Sequence, residues 1–181
     1  MKNEYFVDGE TTVVFVRRRN GDKVKVIIDT EDLNKVSSYP GTWSLSGKVE
    51  AKYASISMGP RGAQTVIIMH RLIMDLYKKQ PIGVEVDHIN GNKLDNRKCN
   101  LRLATRAQNS QNFKSAHKNN RTSGVRGVSW NKLAKKFKAQ LKLNGVIMHF
   151  GYHDTIEEAD EVIKRARARL MPFSTDALQA N

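Results

Sequence analysis

The stretch "VDHINGNKLDNRKCNLRLATRAQN", residues 86–109, sets an Asp beside a His, follows them with an asparagine-rich turn and ends in a segment of helical character. Asn90-Gly91 marks the turn, because both residues tolerate the positive φ that tight turns require. Before it, "GVEVDHI" (83–89) reads as a strand. After it, "LRLAT" (101–105) reads as a second strand, and Ala107 to Asn112 as a short helix. The predicted order is therefore strand, loop, strand, helix.

Asp87 and His88 stand at the mouth of that loop, and their chemistry suits the hydrolysis of a phosphodiester. Such a reaction needs a base to deprotonate water and positive charge to neutralise a crowded phosphorus centre. The unperturbed pKa of His is near 6.5, so neutral His88 is available as the base at cellular pH. Asp87 suits a cation, and Asn109 on the helix adds a neutral carbonyl oxygen. Together they favour a hard ion, Mg²⁺ or Mn²⁺, over zinc. Neighbours on a regular strand face opposite ways, so the strand is expected to twist or end at this pair. By itself an Asp-His pair fits an ordinary turn equally well.

Composition points to a polyanionic partner. Thirty-one Lys and Arg against 18 Asp and Glu give a net charge of +13 and a pI near 10.0, an imbalance typical of nucleic-acid binding. The charge is concentrated, since no Asp or Glu lies between Asn100 and His153. No apolar run has the length to span a bilayer, and "MKNEYFVDGE" lacks a signal-peptide core. The expected setting is cytoplasmic, without membrane attachment or an evident obligate protein partner. Cys99 is the only cysteine, which excludes an internal disulfide and a four-Cys zinc site.

The sequence predicts an α+β chain of small modules. Residues 1–69 read as an N-terminal antiparallel β unit: a hairpin over 11–28 around Asn20-Gly21, then strands in "EAKYASISM" (50–58) and "AQTVIIM" (63–69). Arg17, Arg18, Arg19, Lys23 and Lys25 are candidates for phosphate contact or for a solvated edge. Residues 70–113 form the central module, opening with a helix in "HRLIMDLYKK" (70–79) that stops before Pro81; His70 is expected to be a packed histidine. A basic linker follows over 114–122. Residues 123–173 read as three strands, "RGVSW", "KFKAQLKL" and "VIMHFGY", packed on one helix that opens at Thr155 with Glu158 three residues on. Residues 174–181 read as a tail.

The central module resembles the HNH endonucleases with a ββα-metal fold, in particular the small phage and intron-encoded homing type. "MHRLIM" (69–74), residues 86–102 and "ATRAQNSQN" (104–112) carry the resemblance. It implies one divalent cation on Asp87 and Asn109, His88 as the base that activates water, and Asn100 as the residue that steadies the loop and orients His88. Asn96 and Arg97 are assigned loop or phosphate roles.

In "KFKAQLKL" (136–143), Phe137, Ala139, Leu141 and Leu143 alternate with Lys138, Gln140 and Lys142. A two-residue turn at Asn144-Gly145 sets Lys142 opposite Ile147 and Gln140 opposite His149, gathering a polar, basic face. Such a face fits a DNA major groove. Residues 123 to about 171 resemble the Apetala-two (ethylene-response-factor) DNA-binding domain, which implies Arg126, Trp130, Gln140 and Lys142 as contacts to double-stranded DNA, with Lys138 and His149 on the same face by register. The expectation is a site-specific DNA endonuclease that nicks as a monomer. The rival is a DNA-binding regulator with an inactive nuclease core, and clustered exposed aromatics for RNA stacking are lacking.

Overall fold

A computed structural model describes residues 1–18, 20–47, 53–77, 81–113, 116 and 120–179. The chain is α+β, with several small antiparallel sheets and few helices, and divides into two compact units, Met1–Thr105 and Arg106–Asn181. Among the described residues no helix is long and apolar enough to cross a membrane.

In the first unit, β1 (Tyr5–Asp8), β2 (Thr11–Arg17) and β3 (Lys23–Asp29) form a sheet in that order. The alternation in β2 buries Thr12, Val14 and Val16 on one face, as a half-covered strand requires. The expected hairpin is present, but Asn20-Gly21 does not make a two-residue turn. Arg17 pairs with Lys23, and the connection is closed by the Arg18 N–H on the Asp22 carbonyl, 2.7 Å. The Asn20 side chain bonds Asp22 twice, which holds this longer loop. Arg19 lies outside the described residues.

A short helix, α1 (Leu33–Ser37), leads into β4 (Ser44–Ser46), β5 (Tyr53–Met58) and β6 (Thr65–Ile68), a second three-stranded sheet. The start of "EAKYASISM" lies outside the described residues. Next, α2 (Met69–Ile73) is shorter than the sequence predicts. Asp75 takes a φ of 57°, and the Lys35 ammonium caps the helix end by donating to the Ile73 carbonyl, 3.2 Å. This ends the helix before Leu76 and Tyr77, apolar spacing notwithstanding.

The two strands of the opening stretch are β7 (Val84–His88) and β8 (Leu101–Thr105), paired so that Asp87 faces Arg102 and His88 faces Leu101. Val86 and Leu101 enter the same core as Val14, Val26, Ile28, Trp43, Ile56 and Leu72. Burying each such side chain is worth about 1.5–3 kcal/mol. The strand pair therefore shares one hydrophobic core with the N-terminal sheets.

The second unit begins with α3 (Arg106–Gln111) and continues through β9 (Val128–Asn131), β10 (Lys136–Leu143) and β11 (Val146–His153) to α4 (Ile156–Leu170). Asn144 and Gly145, at φ 49° and 85°, make the expected two-residue turn. Ala159, Ile163 and Ala166 of α4 are buried in one cluster with Val128, Ala139 and Leu141. Thr155 Oγ1 accepts from the Glu158 N–H, 3.2 Å, the predicted cap. The stretch read as a tail contains a further helix, α5 (Thr175–Gln179). It is held by Asp176, which accepts from buried Arg167 of α4, and by buried Ala177.

Candidate active site and the C-terminal sheet face

β7 ends at His88, where the Gly91 N–H closes a turn on the His88 carbonyl, 2.9 Å. Asp87 and His88 are both buried, at 6% and 5% exposure, and have different partners. Asp87 Oδ2 accepts from Arg102 Nε at 3.0 Å and from its terminal nitrogen at 2.8 Å. This charge-assisted pair fixes the carboxylate across the strand ladder.

The His88 ring meets a different set of groups. Its centroid lies 4.9 Å from that of His70, edge to face, and 6.0 Å from that of Tyr53. Nε2 is 3.2 Å from Asn96 Oδ1. A carbonyl oxygen only accepts, so this bond places the proton on Nε2 and the lone pair on Nδ1. Burial lowers the His88 pKa, opposed by the Asn96 bond and the Asp87 charge, and so favours the neutral ring a base requires. Lys93 holds its ammonium 4.8 Å above the Tyr53 ring and brings positive charge to the same side.

Asn100 is buried and spans the loop. Its Oδ1 accepts from the Asn90 N–H at 2.9 Å, and its Nδ2 donates to the Asp95 carbonyl at 2.8 Å. Asp95 in turn grips Arg97 with both oxygens at 2.8 Å, which lowers the Asp95 pKa. Arg97 is thus part of the loop's own frame. Asn100 holds the loop, and Asn96, whose neighbour Asp95 is one of the groups Asn100 ties, bonds His88 Nε2. Sequence reasoning gave Asn96 only a general loop role and missed Arg102, Lys93 and Tyr53. Their roles come from cross-strand register and ring packing, which leave no motif.

His70 is 5% exposed, and its Nδ1 is buried without a hydrogen-bond partner. Burial lowers its pKa to about 3, with smaller contributions from His88, Arg71 and Lys93. It is a packed, neutral histidine, as the sequence reading expects, against the ring of the candidate base. Asn109 lies on α3 in the second unit. Its amide offers a neutral oxygen of the kind a hard cation takes.

On the C-terminal sheet the register sets Gln140 opposite His149 and Lys142 opposite Ile147, as predicted. Between Lys138 and Gln140 the pairing shifts by one residue, so Lys138 faces Tyr152 rather than Gly151. This bulge brings half-exposed Tyr152 beside Lys138. Trp130 pairs with Phe137 at a ring distance of 4.8 Å, next to the Val128–Ala139 pair in the core, on the opposite side of the sheet from Lys138 and Gln140. The Arg126 guanidinium donates to the carbonyls of Ser110, Gln111 and Phe113, at the end of α3. Its donors serve a helix end.

Comparison with known proteins agrees with this arrangement over one part of the chain. Residues 68–111 match the family model for HNH endonucleases. A segment of 77 residues, 42% of the chain, is 38% identical to Protein 3.8 of Escherichia phage T7 and covers 62% of that protein. A segment of 96 residues, 52% of the chain, is 41% identical to an uncharacterized HNH endonuclease of Acanthamoeba polyphaga mimivirus and covers 48% of it. The chain thus spans only part of the length of these relatives. No solved structure matches it. The likeness to HNH endonucleases is thus confined to part of the chain, and both relatives are viral.

Proposed function

We propose that the protein is a site-specific DNA endonuclease of the homing type that hydrolyses phosphodiester bonds, nicking as a single chain. The observation that carries this reading is the His88 imidazole, buried at the end of β7 with Nε2 3.2 Å from Asn96 Oδ1. As a neutral ring, His88 takes the proton of an attacking water. Asp87, oriented by Arg102, would hold a divalent cation, Mg²⁺ or Mn²⁺, with Asn109 as the second donor on the sequence pattern. Bound there, the cation supplies Lewis-acid neutralisation of phosphate oxygens. Asn100 keeps the loop in register. Lys138, Gln140, Lys142 and His149, joined by Tyr152, meet double-stranded DNA, while Arg126 and Trp130 support the module that carries that face.

The alternative reading, a DNA-binding regulator with an inactive nuclease, is favoured by the separate basic sheet face. Incubating supercoiled plasmid with Mg²⁺ and either the protein or its His88→Ala variant decides between them. The nuclease reading expects nicking by the wild type and a loss of roughly 10² to 10⁴ fold in the variant, the usual contribution of a positioned base, with DNA affinity retained. No cleavage by the wild type, or equal cleavage by both proteins, overturns it.

A further inference from the structure

The first N-terminal sheet, β1 to β3, lies outside residues 68–111, and the family match gives it no role. The edge of β3 faces the nuclease loop. The Ile27 N–H donates to the Leu94 carbonyl at 2.8 Å, and the Asn96 N–H donates to the Ile27 carbonyl at 2.7 Å. These bonds form a parallel bridge between Ile27 and Asp95. At the end of β3, Asp29 Oδ2 accepts from the Lys98 N–H at 2.7 Å, and just beyond it Glu31 Oε1 accepts from Lys98 Nζ at 2.6 Å. The same ammonium stands 3.3 Å from buried Asp32 Oδ2. Asp29, Glu31 and Asp32 cluster closely enough to suggest a cation site, but Glu31 and Asp32 meet the Lys98 ammonium and Asp29 its backbone N–H.

We infer that β3 and the Asp29–Asp32 segment form a clamp on Leu94–Lys98 that sets the position of Asn96, and through it the orientation and tautomer of His88. The inference rests on the proposed role of His88. Ile27 fixes the backbone of Asn96 on one side of the loop, and the Asn96 side chain reaches His88 Nε2 at 3.2 Å. Asp29 and Glu31 hold the chain two residues further on. Asp29 and Glu31 are positioning residues, since neither touches His88. A base must be held within a fraction of an ångström of its productive geometry, so slack in this loop costs rate without costing DNA affinity.

The test compares two double variants of the full chain, Asp29→Ala with Glu31→Ala and Asp29→Asn with Glu31→Gln. Both lose two negative charges, and only the amide pair keeps oxygen acceptors for Lys98. Plasmid nicking should show kcat reduced about 10-fold in the alanine pair with KM for DNA little changed, and kcat near wild type in the amide pair. Amide hydrogen exchange at Asn96 should quicken in the alanine pair alone, and the His88 imidazole ¹⁵N signals should shift with it. Equal kcat and exchange in the two pairs would show a pure charge effect and overturn the clamp, as would wild-type behaviour in both. If the wild type does not nick DNA, the nuclease reading fails, while exchange at Asn96 still decides whether the clamp exists.

Discussion

The strand pair β7–β8 and the helix α3 follow one another directly in the chain, yet they are anchored by different means. The strand pair adds Val86 and Leu101 to a core shared with two other sheets, and its loop is bonded backbone to backbone to Ile27. The helix has six residues and buries none of them, and one this short does not persist alone in water. Its C-terminal carbonyls are gathered by one guanidinium, that of Arg126, while Phe173 and Thr175 bond Gln111 and Asn112. A core distributes stability over many side chains, so no single one is decisive. A helix end held by one charged side chain is sensitive to that side chain.

Arg126→Ala should break the second anchor with the largest effect on stability. Three carbonyls lose a charged donor whose bonds are worth about 1.5–3 kcal/mol each before compensation by water, so a net loss of roughly 3 kcal/mol is expected. Exchange at the α3 amides should quicken well before that of β7. Unchanged melting and exchange would show that α3 does not depend on Arg126.

The first anchor should reveal itself through acid. The groups around His70 are His88 from β7, Tyr53 from β5, Lys93 from the loop and Arg71 from its own helix. Folded, His70 titrates at about 3; unfolded, it titrates near 6.5. Below pH 6.5 the unfolded chain takes up a proton that the folded chain refuses, so stability falls as pH drops from 6.5 toward 3. The slope from this residue is about 1.4 kcal/mol per pH unit. His70→Phe keeps a ring and should flatten urea-melt stability across that window; an unaltered slope would mean that His70 is protonated or accessible in the native state.

The smallest effects are expected on the C-terminal face. Replacing Lys138 and Lys142 with Ala should lower the salt dependence of DNA binding by about 0.9 per lost phosphate contact, on specific and scrambled duplexes alike. Gln140→Ala should leave that slope alone and relax preference at one base pair, at a cost of about 1–3 kcal/mol. Wild-type slope and preference in both variants would return this face to solvent.

Local pattern made much of the molecule legible. Strands β8 and β10, the Asn144-Gly145 turn and the α4 cap follow from alternation, positive φ and the Thr155–Glu158 spacing, all settled within a few residues. Residues 68–111 were legible because their motif is dense. The same dipeptide at Asn20-Gly21 marked a hairpin that is present, closed through a longer loop in which the Asn20 side chain bonds Asp22.

The sequence by itself determined the α+β class, the likeness of residues 68–111 to HNH endonucleases, the basic balance and the residue types available at Asp87, His88, Asn100 and Asn109. Tertiary structure decided which groups those residues meet. Asn96 bonds His88, Arg102 steadies Asp87, Asp75 and Lys35 end α2 early, and α5 stands where a tail was expected. The reason is one of range. Turns and caps depend on atoms a few positions apart, whereas the clamp on Lys98 joins residues 67 and 69 positions apart in the chain. Only the shared core of the first unit brings those residues together, and no local pattern encodes that meeting.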